Sequence, residues 1–234
     1  MKYLYLSIDL LSIAVPLIFS FLTPAKFYKQ WKYFWIANGV STVIFVMWDM
    51  LFTYLGVWGF NPDYVVGVYI GNLPLEEVLF FICIPYACVF TYFALNNLVE
   101  KDHLFPHQEI ISSVLIIALL IFGMHYMEQL YTSVTFLSLA FLLAFQMIKL
   151  RPRYMGRFYF TFLVILVPFF VVNGILTGTG IDKAVVWYND AHNLGIRLGT
   201  IPFEDTFYGM LLILMNIMIY EWLIERERWK HLRS

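Results

Sequence analysis

The chain has little charge and almost no cysteine. Only 13% of its 234 residues are Asp, Glu, Lys or Arg, while 61% are apolar. A water-facing surface cannot be assembled from so few charges, so the apolar excess must face lipid. Fifteen Lys plus Arg against sixteen Asp plus Glu leave a net charge of −1, which excludes a general attraction to nucleic acid. Cys83 and Cys88 lie in one apolar stretch, and no Cys/His set has zinc-ligand spacing. That argues against a disulfide scaffold and a structural metal alike. Gly178-Thr179-Gly180 is too short for a dinucleotide fingerprint and follows a membrane run instead of a strand, which removes a nicotinamide or flavin fold. No Asp-rich DDxxD pattern occurs, which disfavours a magnesium-dependent prenyltransferase.

What is present is a series of seven apolar runs near twenty residues long: 3–22, 34–57, 75–97, 110–127, 130–148, 157–177 and 203–223. Lipid offers backbone groups no partners, and these runs lack the alternation of barrel strands, so helices are expected. The first run follows Lys2 but no small-x-small cleavage signal follows its apolar stretch, so it reads as a retained helix. The fold class is therefore all-α, a polytopic membrane protein of seven transmembrane helices.

Seven crossings put the termini on opposite faces and sort the basic residues between them. One face holds Lys26, Lys29, Lys32, Lys101, Lys149, Arg151, Arg153, Arg157, Arg226, Arg228, Lys230 and Arg233; the other holds Lys2, Lys183 and Arg197. By the positive-inside rule the N-terminus is outside and the C-terminus cytoplasmic, in a plasma membrane. The tail 221–233 reads as a cytoplasmic anchor. At ~1.5 Å rise per residue, Asp9 and Asp49 lie about two turns below the outer surface, and Glu76, Glu77, Glu204 and Asp205 open the third and seventh helices from that side. Polar chemistry is thus expected in the outer half.

A shift of 128 residues aligns Asn61 with Asn189, Gly67 with Gly195, Gly71 with Gly199, Pro74 with Pro202, Glu76 with Glu204 and Glu77 with Asp205, without a gap. The segments read GVYIGNLPLEEVLFF and GIRLGTIPFEDTFYG. Such agreement indicates a duplicated unit of three helices, with residues 1–97 and 130–234 as the copies and 98–129 carrying a connecting fourth helix. Four helices separate equivalent positions, so the copies are parallel, related by an axis along the membrane normal.

A single Pro-x-Glu-Glu has an ordinary structural explanation, because proline suits a first turn and carboxylates there offset the macrodipole. Three facts favour function instead. The motif recurs at matched depth, each copy carries two acids where one would cap, and Asp49 sits too deep within its helix for capping. Close, desolvated carboxyls cannot all ionise, so some hold a proton that they can donate while an ionised neighbour accepts one. That is acid–base chemistry without a cofactor, strong enough for an alkene if aromatic faces and carboxylates stabilise the cation. Glu76 and Glu77 point about 100° apart on a helix, so at most one of each pair aims at a common point. Glu76, Glu77, Glu204, Asp205 and Asp49 are the candidate catalytic residues, and Trp48, Trp58, Pro74, Phe80, Trp187, Pro202, Phe203 and Tyr208 the candidate substrate-binding residues.

Weaker constellations surround these. His103 and His107 have metal-like spacing, but Pro106 between them favours a solvated loop. His125, Glu128 and His192 are placed to join a polar cavity, whereas Asn38 and Asn173 suit hydrogen bonding between helices.

The segments WDMLFTYLGVWGFN (48–61), GNLPLEEVLFFICIPYACVF (71–90) and LGIRLGTIPFEDTFY (194–208) resemble the small integral-membrane lycopene cyclases, found as two-subunit enzymes and as fused forms. The likeness extends over nearly the whole chain. It implies that the halves correspond to the two subunits, and that the ψ ends of lycopene are cyclised to β-ionone rings, giving β-carotene through γ-carotene. It places the family motif on Pro74, Glu76 and Glu77 and, with aspartate for the second glutamate, on Pro202, Glu204 and Asp205. Glu76 or Glu204 is then expected as general acid, with Glu77, Asp205 or Asp49 as base or cation stabiliser. The expected partners are a polyene, the bilayer and other carotenoid-synthesis enzymes. Two readings compete: a related carotenoid hydratase or long-chain carotenoid cyclase, and, from another class, a proton-coupled transporter, for which broken helices would speak.

Overall fold

The computed structural model describes residues 1–22 and 26–231, so Arg233 of the basic set lies outside the described residues. Seven α-helices form the described chain: α1 (Leu4–Phe19), α2 (Trp31–Tyr54), α3 (Leu75–Leu98), α4 (Gln108–His125), α5 (Leu130–Phe145), α6 (Met155–Leu176) and α7 (Phe203–His231). Six of them, with their flanking turns, are long and apolar enough to cross a membrane; α1, at 16 residues, is shorter. Large apolar side chains such as Val43, Met47, Ile117, Phe141 and Val167 are exposed on the outside of the bundle. Asp9, Asp49, Glu76, Glu77, Glu204 and Asp205 are buried within it. This inversion of the usual soluble pattern is what a lipid-facing bundle requires.

The duplication is visible in the packing. In each copy the first helix lies along the third, α1 on α3 and α5 on α7, while the second packs across onto the third helix of the other copy, α2 on α7 and α6 on α3. The copies are then joined by strands, which the sequence patterns do not announce. β1 (Trp58–Phe60) and β4 (Val186–Tyr188) pair antiparallel as Trp58 with Tyr188, Gly59 with Trp187 and Phe60 with Val186. Shifting every residue by one repeat regenerates the same pairs, so the ribbon has its own two-fold axis at Gly59 and Trp187. A Cβ on Gly59 would lie 2.4 Å from the Trp187 ring, and only glycine lets that indole cross the ribbon.

Each acidic motif is preceded by a matching hairpin. β2 (Tyr69–Ile70) pairs with β3 (Leu73–Pro74), and β5 (Arg197–Leu198) with β6 (Ile201–Pro202). The turns begin at Gly71 (φ 64°) and Gly199 (φ 68°), which explains why the repeat keeps glycine at this site. Pro74 and Pro202 end the hairpins and hand the chain to α3 and α7, which begin with the acids.

Further down, Pro85 interrupts α3 and leaves the Phe81 carbonyl without its helical partner. Asn38 Nδ2 and Thr42 Oγ1 of α2 both donate to that oxygen at 3.0 Å. Asn38 thus makes the interhelical bond expected of it.

Candidate active site

The first acid of each motif faces backward. Glu76 Oε1 accepts the backbone N–H of Val66 at 2.6 Å, and Glu204 Oε1 that of Leu194 at 2.8 Å. Thr132 adds its hydroxyl to Glu204 at 2.5 Å. These glutamates hold the loops that lead into the hairpins, and neither is among the residues lining the cavity between the copies.

The second acid, turned about 100° along the helix, does. Glu77 and Asp205 line one cavity of about 530 Å³ together with Asp49. They come from both copies, are 8%, 4% and 3% exposed respectively, and interact electrostatically, Glu77 with Asp205 and Asp49 with Glu77. Tyr5 donates to Glu77 Oε2 at 2.5 Å, and Tyr131 to Asp205 Oδ1 at 2.6 Å. Tyr188 donates to the other oxygen of Asp205 at 3.0 Å. Burial and the neighbouring Asp205 charge hold the Tyr188 phenol well above its ordinary range, so it stays a hydroxyl donor.

The rest of the wall is aromatic and aliphatic. Trp58, Phe60, Phe80 and Tyr208 surround the acids, and the lining continues along α3 through Ile84, Ala87 and Cys88 to Thr91. From Glu77 to Thr91 is a depth of roughly 20 Å at ~1.5 Å per residue. Leu11 of α1 and Val171 of α6 line the cavity yet are 72% and 60% exposed, which puts its mouth on the outside of the bundle between these two helices.

Of the expected binding residues, Trp58, Phe80 and Tyr208 line the cavity; Trp48, Pro74, Trp187, Pro202 and Phe203 do not. Trp48 stands behind Tyr208, its ring centroid 5.4 Å away, and Phe203 packs on Phe136 and Phe207. Trp187 lies across Gly59, and the prolines shape the hairpins. His125 and Glu128 are exposed and, like His192, stand apart from the cavity, whereas Asn173 lines it. His103 and His107 are exposed, and His107 closes a short 3-10 turn, Phe105–His107, that leads into α4.

Tyr5 and Tyr131 escaped the sequence reading, although a signal for them exists. A shift of 126 residues, two fewer than for the acidic motifs, aligns LYLSID at 4–9 with LYTSVT at 130–135 and sets Tyr5 on Tyr131.

Acids from two copies of one unit thus meet in a cavity open toward lipid, and a family comparison gives this arrangement its context. The family profile named "Lycopene cyclase" matches residues 2–95 and again 128–223. The chain belongs to the lycopene cyclase family. Membership carries carotenoid cyclase function, and the double match fits the internal repeat seen in the packing. No match was found among curated proteins or among solved structures.

Proposed function

We propose that this chain is a lycopene β-cyclase that closes the ψ ends of lycopene to β-ionone rings, giving β-carotene through γ-carotene. The observation that carries the reading is the meeting of Asp49, Glu77 and Asp205 at one end of an apolar cavity. A polyene is dissolved in the bilayer, and the mouth between α1 and α6 suits lateral access from it. The reactive end then lies among the acids and the conjugated chain along α3.

In the proposed reaction a carboxylic acid adds its proton to the terminal double bond, leaving a tertiary cation. The neighbouring double bond attacks that cation and closes a six-membered ring, moving the positive charge to a ring carbon. A carboxylate removes an adjacent ring proton and restores the alkene. Protons and electrons balance within the substrate, so acid and base suffice. Trp58, Phe80 and Tyr208 offer π faces to the cation.

Because Glu76 and Glu204 are turned to backbone N–H groups, the acid and base roles fall to Glu77, Asp205 and Asp49 rather than to the first acid of each motif. The proposed topology has seven crossings, α1 included, with the N-terminus outside a plasma membrane and the copies 1–97 and 130–234 joined by 98–129. The asymmetry of basic residues supports it: Arg157 at the start of α6 donates to the carbonyls of Val99 and Glu100 after α3, at the end opposite the acids.

Expression in a lycopene-accumulating bacterium tests the reading. Conversion of lycopene to a product with two β rings is expected; an unchanged lycopene pool overturns it.

A further inference from the structure

Two copies related by a two-fold axis would be expected to treat their acids alike, and the surroundings of these acids differ sharply. In the first copy the buried carboxyls are Asp9, Asp49, Glu76 and Glu77. Four of their oxygens have no hydrogen-bond partner among the described residues: both of Asp9, Oδ2 of Asp49 and Oε2 of Glu76. Among the described residues no ion pair reaches any of them. In the second copy the buried carboxyls are Glu204 and Asp205, and one oxygen, Glu204 Oε2, is without a partner among the described residues.

The donors are distributed the opposite way. Asp205 has a tyrosine hydroxyl on each oxygen, and the guanidinium of Arg197 interacts with it electrostatically while lying over the Tyr188 ring at 5.6 Å. One repeat earlier, the position of Arg197 is held by Tyr69, which carries no charge to offer. Asp9 falls opposite Thr135 when LYLSID is set on LYTSVT, so this acid has no counterpart in the second copy. It is 0% exposed and has no hydrogen-bond partner on either oxygen among the described residues, a setting that is costly for a carboxylate. Asp9 interacts with both Glu77 and Glu76 across the α1–α3 contact.

From this imbalance we infer that the copies have divided the labour: the first, through Glu77, gives the proton, and the second, through Asp205, takes it away. Glu77 has one tyrosine donor, Tyr5 on Oε2, where Asp205 has two, and an anion at Asp205 disfavours a second charge beside it, which keeps the Glu77 proton available. Tyr131 and Tyr188 solvate Asp205 as the anion that a base must be, and Arg197, itself ion-paired with Asp190, adds a more distant positive charge. The inference rests on the cyclase reading and adds a direction to it.

Direction has a chemical signature. Loss of the acid stops the reaction before any ring forms. Loss of the base leaves a closed ring whose cation sheds a different proton, from the other adjacent ring carbon or from the methyl group, so the double bond appears elsewhere. Glu77→Gln should therefore leave lycopene unchanged, with turnover down about 100-fold or more. Asp205→Asn should still close rings but yield isomers with displaced double bonds, resolved by chromatography and NMR. The paired change Tyr131→Phe with Tyr188→Phe keeps both rings in place and should give a partial version, a minority of displaced isomers, which preserves the test if Asp205→Asn fails to fold. Displaced isomers from Glu77→Gln, or rings of unaltered type only from both Asp205→Asn and the tyrosine pair, would overturn the division. If the wild-type chain leaves lycopene unconverted, the cyclase reading itself fails; if it converts lycopene and the variants reverse, the division alone fails.

Discussion

The two glutamates of the first motif should respond in opposite ways to the same substitution. Glu76 is fully buried, and its Oε1 receives the Val66 N–H at 2.6 Å, pinning the loop before the hairpin. Glu76→Gln keeps an acceptor oxygen at that position, so the hydrogen bond from Val66 survives and the change should cost about 1 kcal/mol or less. Glu76→Ala leaves the N–H unpaired, at ~1–3 kcal/mol, and opens a void worth about 2 kcal/mol more, some 3–5 kcal/mol together. Thermal unfolding in detergent should rank wild type and Glu76→Gln close together, with Glu76→Ala lower by several degrees. Lycopene conversion at a temperature where all are folded should survive in Glu76→Gln and be lost in Glu77→Gln. If Glu76→Gln melts normally yet converts no lycopene, the residue handles protons, and its assignment as a loop anchor is wrong.

Other expectations follow from single contacts. Gly59→Ala places a Cβ 2.4 Å from the Trp187 ring and should break the ribbon between the copies, and Trp187→Ala in the same chain should restore the melting temperature. Asn38→Ala removes one of two donors to the Phe81 carbonyl freed by Pro85 and should cost about 1–2 kcal/mol; an unchanged melting point would mean that Thr42 alone suffices. Asp9→Leu replaces a partnerless buried acid by an apolar side chain of similar reach and should raise stability by roughly 1–3 kcal/mol, while a drop in melting temperature would show that Asp9 has a partner in the membrane.

Helices were legible in the sequence because apolar length is nearly all that a membrane segment requires: α1 to α6 end within about three residues of the expected runs, while α7 continues to His231 through the stretch read as a tail. The first run overreaches because α1 ends at Phe19, before a turn closed by the Ser20 N–H on the Pro16 carbonyl. The strands were not legible: two or three residues are too few for alternation to register, and pairing such as Trp58 with Tyr188 depends on the other copy, 130 positions away. For the acids, type and depth could be read but not direction. That Glu77 faces the cavity while Glu76 faces Val66 follows from how α3 is rotated against its neighbours, a tertiary fact. The tyrosines were hidden by a slip of two residues between the helix register and the motif register of the same repeat.

The mouth between α1 and α6, with Leu11 and Val171 bared at its rim, has a kinetic consequence. An enzyme fed from that side samples the two-dimensional solution around it and is blind to molarity in the aqueous phase. Its half-saturation belongs in mole per cent of lipid, so adding empty vesicles that fuse with the loaded ones should slow turnover at constant bulk substrate, and concentrating the whole suspension should not speed it.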